Sequence, residues 1–485
     1  MNNNDSNLFK ILDIPDDGTF NILQVDIVGD TKTVHIGRDP APTFCPECGC
    51  RMHSRGIRKR TANHPVLQDT TKVFITAHQR RWRCTNCSTE TNEQFSFLDR
   101  YSHTTNTTFY FVCEAMKDLT RTTASIARQF NMSDTAVHDI FTAHVDLPRL
   151  PLPEYLSVDE VFLDICDNDK YSLVLMDFSN GQIVDILHNR WETTAEDYFL
   201  KISLKERNKV KAIISDAYTS YMEYPQKYFP NSVSILDSFH VVKYIISLLN
   251  GYINTILKKY REKDIEELKK KNHDFNLDNK SIKDSREVIL LRDYRWVLLK
   301  NKSEINYDTK MYYNRRLGMN IDTYRIENEF LKLDSNFTEL RDLKEKYIEF
   351  NSSSYKDEKE VQEALEKLIK EYKTCNQSIF RKFATFLENN KDAIIRSFVT
   401  IEVSRKTKEE SDAYYARLSQ GPMEGFNRKP KDLKRNSRGF SNFNYTRNRI
   451  LWATRENPQY LGIPKNKKQV HSYKGKKRGK YNKKK

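Results

Sequence analysis

Residues 155–187 read YLSVDEVFLDICDNDKYSLVLMDFSNGQIVDIL. Three apolar, β-rich runs, Tyr155 to Ile165, Tyr171 to Asp177 and Gln182 to Leu187, are separated by Asp167-Asn168-Asp169 and Ser179-Asn180-Gly181. Asn, Asp, Ser and Gly are turn formers, so these separators predict a three-stranded antiparallel meander. Asp159 sits inside the first run, between Val158 and Val161. A buried carboxylate costs free energy unless it is paired or bound to a cation. The stretch thus frames both the fold and the question of what Asp159 does.

Downstream, a helix capped by Thr193 or Thr194 carries Tyr198, Phe199 and Leu204, and a strand follows at Val210 to Ser215. Another helix around Ala217 to Tyr228 and a strand at Val233 to Leu236 complete the order βββαβαβα, the succession expected of a ribonuclease-H-like α/β core (residues 154–240). Asp216 ends the fourth strand in Ile213-Ile214-Ser215-Asp216-Ala217-Tyr218. Neighbouring parallel strands bring two such acids to one sheet edge. Residues 241–415 are long, charged and helix-periodic, as in Ile256 to Lys271 and Glu358 to Lys373, and predict an all-helical insertion. The core resumes at 416–458, where Glu424 opens a helix rich in cations, among them Lys431, Lys434 and Arg435. An acid suits a helix N-terminus on electrostatic grounds alone. Beside Asp159 and Asp216 it would also complete a set of oxygen ligands for two Mg²⁺ ions. Glu160, Asp164 and Asp177 read as supporting or surface acids, and Pro430 predicts a kink in the Glu424 helix.

Upstream, Leu147-Pro148-Arg149-Leu150-Pro151-Leu152-Pro153 cannot continue a helix and reads as a stiff linker. Before it, residues 101–147 hold two short helical patterns joined by a tight turn. Ala127 is small where helices cross, Asn131 tolerates a left-handed turn, and Ser133 is placed to cap the second helix. As a helix-turn-helix this segment offers Asp134, Thr135 and His138 to a major groove; otherwise it is a plain helical hairpin with Ile126, Val137 and Ile140 as its core. In residues 1–100, alternating strand patterns around Phe20 to Val28 lead to Cys45-Pro46-Glu47-Cys48 and Cys84-Thr85-Asn86-Cys87. Two C-x-x-C turns brought face to face make a closed tetrahedral zinc site, a ribbon rather than a redox dithiol. Arg80, Arg81 and Arg83 flank it, facing either DNA or solvent; Cys50, His53 and His64 are dispensable as ligands.

The 485 residues carry 81 Lys and Arg against 66 Asp and Glu, a net charge of +15. Eleven of the cations, with no acid, fall between Pro464 and Lys485, inside a basic tail spanning 459–485. Counterion release makes nucleic acid the expected partner of such a chain. The cysteines Cys50, Cys113, Cys166 and Cys375 are scattered, which argues against a disulfide framework. No apolar run is long enough to span a bilayer, and the first residues lack a signal-peptide pattern, so a cytoplasmic location is expected and no membrane partner.

Taken in order, CPECG with RRWRCTNC, the helix pair, VDE at 158–160, SDAY at 215–218, DSFHVVK at 237–243 and GPMEGFNRKPKDLKRNSRGFSNFNYTRNRIL at 421–451 resemble the DDE transposases of bacterial insertion sequences, in particular the ISL-three family. The resemblance spans nearly the whole chain. It implies a catalytic triad of Asp159, Asp216 and Glu424 binding Mg²⁺ (or Mn²⁺), and a structural Zn²⁺ at Cys45, Cys48, Cys84 and Cys87. It also implies a D-x-x-H signature at Asp237 and His240. Double-stranded DNA, as terminal inverted repeats and target, is the implied substrate, with a homodimer or larger assembly at the nucleoid. Arg447 and Arg449 would bind DNA or pair with acids. Two other classes are open: a zinc-dependent DNA-binding regulator without catalysis, and a ribonuclease-H-like nuclease without strand transfer.

Overall fold

The computed structural model describes residues 3–15, 17–66, 71–165, 169–271, 284–404, 414–437 and 442–472. Most of the basic tail, from 473 onward, and Cys166 lie outside these residues.

The chain opens with helix α1 (Asn3–Ile11), which precedes a five-stranded sheet of β1 (Phe20–Val28), β2 (Thr31–Arg38), β3 (Met52–Asn63), β4 (Lys72–Cys84) and β5 (Glu90–Asn92). The order is β1-β2-β4-β3, with β5 also on β4 and only the β2–β4 pair parallel. Phe9 of α1 and Phe20, Phe95 and Phe97 form an aromatic core beneath it. His64 is wholly buried there, with Nε2 2.8 Å from the Leu12 carbonyl and Nδ1 2.9 Å from the Thr105 hydroxyl. A carbonyl only accepts, so Nε2 carries the proton and the ring is neutral. Burial draws its pKa from an ordinary 6.5 down to about 4. The unfolded chain therefore takes up this proton first, and the stabilisation, whole above about pH 6.5, drains as pH falls toward about 4. We expect up to about 3 kcal/mol of acid destabilisation from this group. Urea melts at neutral and acid pH should show His64→Gln losing correspondingly less than the parent; equal losses would remove the assignment.

Helices α2 (Thr108–Ala115), α3 (Thr123–Gln129) and α4 (Asp134–His144) follow. Asn131 turns the chain at φ +50, Ala127 is buried at the crossing, and the Ser133 hydroxyl accepts the Ala136 N–H. The Pro-rich stretch after α4 runs extended but is tied along its length. Leu147 N–H donates to Asn448, Leu150 N–H to the Val184 carbonyl, and Arg455 to the Pro148 carbonyl.

The second sheet contains β6 (Tyr155–Phe162), β7 (Tyr171–Asp177), β8 (Ile183–Leu187), β9 (Ala212–Ser215) and β10 (Val233–Leu236), ordered β10-β9-β6-β7-β8. β6, β7 and β8 form the antiparallel meander, while β9 and β10 run parallel to β6. Helices α5 (Glu192–Leu200), α6 (Leu204–Arg207), α7 (Thr219–Met222) and α8 (Tyr224–Tyr228) connect them. Two local expectations are corrected. α5 begins after Trp191, whose N–H is taken by the Asn189 side chain, so neither Thr193 nor Thr194 caps it. The helix expected at 217–228 is two short ones, because Pro225, which lacks an N–H, opens the second.

A 34-residue helix, α9 (Ser238–Lys271), leads into α10 (Arg286–Asp293), α11 (Trp296–Leu299), α12 (Thr323–Leu331), α13 (Phe337–Ser352), α14 (Glu358–Thr374), α15 (Ser378–Asn389) and α16 (Lys391–Arg396) around one core. The insertion is not all-helical, however. β11 (Tyr312–Asn314) and β12 (Met319–Ile321) form a hairpin, closed by Asn314 Oδ1 accepting two backbone N–H groups and by Gly318 at φ +64. A second hairpin, β13 (Thr400–Val403) with β14 (Tyr414–Arg417), returns the chain to the sheet.

The last helices are α17 (Gly421–Asn436), α18 (Phe443–Thr454) and α19 (Lys467–Val470). Pro430 is buried within α17 and does not end it. α17 and α18 cover one face of the second sheet and share a core with α3 and α4 through Met423, Phe426, Ile450, Trp452, Ile126 and Phe141. The other face packs on α5 and α8. Among the described residues, no helix is long and apolar enough to cross a membrane.

Candidate active site

The parallel register places the acids. Ser157 pairs with Ile214 in the last rung between β6 and β9, and Asp159 and Asp216 each lie two residues beyond it at the same end of the sheet, near enough for the charge of Asp216 to act on Asp159. Leu236 pairs with Ser215, which sets Asp237 level with Asp216. One residue in two faces each side of a strand, and this separates Asp159 from its neighbour Glu160. Glu160 turns to the other face, where Arg190 grips it at 2.7 Å to each oxygen and the Tyr221 hydroxyl donates at 3.1 Å. Asp159 faces α17, where the Asn427 amide donates to Oδ2 at 2.7 Å. Burial, and then the charge of Asp216, push the Asp159 carboxyl up to about 6, with a backbone N–H and His240 working the other way.

Gln420, immediately before α17, is 1% exposed and locks the helix to this edge. Its Nε2 donates at 2.8 Å to both the Val158 and the Ile214 carbonyls, where the pairing of β6 with β9 ends, and its N–H donates at 2.9 Å to Asp237 Oδ1. Glu424 lies one turn into α17, three residues before Asn427, and residues at that spacing share a helix face. His240 occupies the first turn of α9. Asp237 is buried, which raises its pKa, against the Gln420 N–H and His240. The three carboxylates are not drawn into one tight knot. Among the described residues, the group of His, Cys, Asp and Glu side chains whose ligand atoms all lie within 4.8 Å of one another is Cys45, Cys48, Cys84 and Cys87.

Those sulfurs approach at 3.4 Å (Cys45 to Cys87) and 3.5 Å (Cys48 to Cys84 and to Cys87). Four thiolates about 2.3 Å from a tetrahedral zinc stand roughly 3.8 Å apart, so the cage fits that ion. His64 is committed elsewhere and His53 is exposed.

The residues expected to meet DNA fall into two groups. Asp134, Thr135, Arg81, Lys431 and Arg435 are exposed. His138 instead stacks on Tyr445 of α18, ring centroids 4.4 Å apart, and lies 3.4 Å from Asp139. Arg83 is 3.8 Å from Glu90, and Lys434 lies over the Phe162 ring and 3.9 Å from Asp164. Arg447 pairs with Asp185, and buried Arg449 donates to the Asp118 and Arg121 carbonyls, which assigns both to packing. Gln420 and Asn427 escaped sequence reasoning. The E-x-x-N spacing of Glu424 and Asn427 was the one available signal.

A family model described as Transposase, for the ISL3 group of DDE enzymes, matches residues 156–450. The transposase for insertion sequence element IS1001 of Bordetella parapertussis is 22% identical over 317 residues, covering 63% of this chain and 71% of that protein. The matched span begins at β6 and runs through α17 almost to the end of α18, the elements that carry all three acids, and the chain belongs to the ISL3 family of insertion-sequence transposases.

Proposed function

We propose that this transposase cuts DNA at the ends of an insertion sequence and joins the freed 3′-OH to target DNA, using Asp159, Asp216 and Glu424 on a ribonuclease-H-like core. The placement of Asp159 and Asp216 at the same end of β6 and β9, each two residues past the last shared rung, carries the reading. Two half-buried acids whose charges act on each other are a poor arrangement without a cation, and carboxylate oxygens suit Mg²⁺ or Mn²⁺. Such ions, when bound, supply Lewis-acid polarisation of the phosphodiester and an activated water. The chain's own part is positional. Asn427 fixes one oxygen of Asp159, Gln420 holds α17 against both strands, and His240 offers an N–H toward a phosphate oxygen.

The N-terminal residues are read as a zinc ribbon (1–100) and a helix-turn-helix (101–147) that find the inverted repeats. The core comprises 154–240 and 416–458 around the 241–415 insertion, and two bound ends call for a dimer or larger assembly. A regulator without catalysis would have no use for two half-buried acids at one sheet end facing the helix that carries Glu424. With Mg²⁺ or Mn²⁺ and a duplex carrying the element's end, we expect nicking at the end. A pre-cut 3′-OH end should join to a plasmid. Nicking without joining would reduce the protein to a nuclease, and neither activity would leave a DNA-binding protein.

A further inference from the structure

Strand β3 is an edge of the N-terminal sheet, and His53 to Lys59 along it are exposed. Beside it lies a polar groove of about 790 Å³, lined among others by Arg58, Lys59, Arg60, Asn92, Arg100 and Tyr101. Arg58 and Lys59 make no ion pair among the described residues. Arg60 does structural work, donating to the Asp99 and Ser102 carbonyls at 2.9 and 3.3 Å, and so fixes the loop that carries Arg100 and Tyr101. Tyr101 is held at φ +67, the residue 77% exposed and the Arg100 guanidinium 5.0 Å from its ring centroid. The Ser102 N–H donates to the Asp99 carbonyl at 3.1 Å, so Tyr101 is the third residue of a β-turn, which accounts for its left-handed backbone; the turn presents the tyrosine ring to solvent instead of to a core. Edge-strand cations discourage strand pairing, which accounts for Arg58 or Lys59, but not for the groove or the tyrosine.

The groove is also coupled to the helix pair. Asn63, at the end of β3, is buried and donates through Nδ2 to the Phe130 and Asn131 carbonyls, at 2.6 and 3.3 Å, in the turn between α3 and α4. Its own N–H and carbonyl are taken by His103 and Thr105. One residue thus joins the groove's strand, the loop segment beyond it and the turn before α4.

We propose that this groove binds the sugar–phosphate backbone of duplex DNA beside the stretch taken by α3 and α4, so that the sheet and the helix pair dock as one rigid unit. The proposal rests on the reading of the chain as a DNA-processing protein but not on the acid triad. Arg58, Lys59 and Arg100 supply cations for phosphates, which position a protein without reading sequence. Tyr101 supplies a face for the sugar edge.

The test uses the full-length, zinc-loaded protein and a random-sequence duplex, with affinity followed by fluorescence anisotropy across salt concentrations. Losing two phosphate contacts in Arg58→Gln/Lys59→Gln should flatten the slope of log K against log salt by about 1.8. Between about 50 and about 200 mM salt the parent should then lose roughly twelvefold more affinity than the variant. Zinc content and melting temperature report folding, and Arg100→Gln, outside the strand, should flatten the slope by about 0.9. Slopes matching the parent in both variants would overturn the proposal. End cleavage and joining by the parent protein read the triad in a separate assay that the salt slope does not enter, so failure of the triad and failure of the groove are read separately.

Discussion

Asp159→Asn, Asp216→Asn and Glu424→Gln should each lower end cleavage by at least about 10³-fold while duplex affinity stays within about twofold. The magnitude follows from what a metal-bound carboxylate set supplies, several kcal/mol of transition-state charge stabilisation, with about 4 kcal/mol equal to a thousandfold in rate. Each substitution keeps the shape and removes the charge. Glu160→Gln is the control that gives the result its meaning. It alters the neighbouring acid in the same strand, but that acid points away and is engaged by Arg190 and Tyr221. Glu160→Gln should therefore cost stability, seen as a lower melting temperature, and cleavage measured well below that melt should fall by less than about tenfold. Asp159→Asn retaining a tenth of parental cleavage, or Glu160→Gln losing as much as Asp159→Asn, would place the chemistry on other residues.

Sequence alone exposed what depends on local pattern. Turn residues marked the β6–β8 meander, Asn131 and Ser133 marked the α3–α4 turn, and two C-x-x-C pairs marked the sulfur cage, since each is decided within a few positions. Asp159 stood out because an acid in an apolar strand has few inexpensive explanations. What was hidden depends on distant segments meeting. The β6–β9 register, which makes Asp159 and Asp216 neighbours, is set between strands more than 50 residues apart. The burial of Arg449 against the segment after α2, and the stacking of His138 on Tyr445, arise because α17 and α18 return to the helix pair over some 300 residues. Periodicity describes one element at a time, so it offered His138 to a groove and left Arg449 between DNA and an acid partner. The β11–β12 hairpin escaped for the opposite reason: two three-residue strands leave too short an alternation to compete with the helical pattern around them.

The second large effect is expected at Gln420, a residue with no charge and almost no exposure to solvent. β6 and β9 stop pairing at Ser157 and Ile214, and the two carbonyls at the parting, Val158 and Ile214, both receive the Gln420 amide. That amide does what a further rung of the sheet would do, while leaving the strands far enough apart for Asp159 and Asp216 to present oxygens. Gln420→Leu keeps the bulk but strands two buried acceptors, at about 1–3 kcal/mol each. The backbone N–H to Asp237 survives, so α17 stays attached but loses its registration on β6. A shift of about 1 Å in a reacting group costs about 10²-fold in rate. Cleavage should fall by about that factor, more than the lost stability explains when it is assayed well below the melt. Gln420→Asn is the discriminating variant. It retains the donor on a shorter arm that cannot span both carbonyls, so it should recover part of the melting temperature and little of the cleavage. Should Gln420→Leu cleave within about threefold of the parent, α17 is held by its apolar face alone, and the position of Glu424 must then be set by Met423 and Phe426 in the shared core.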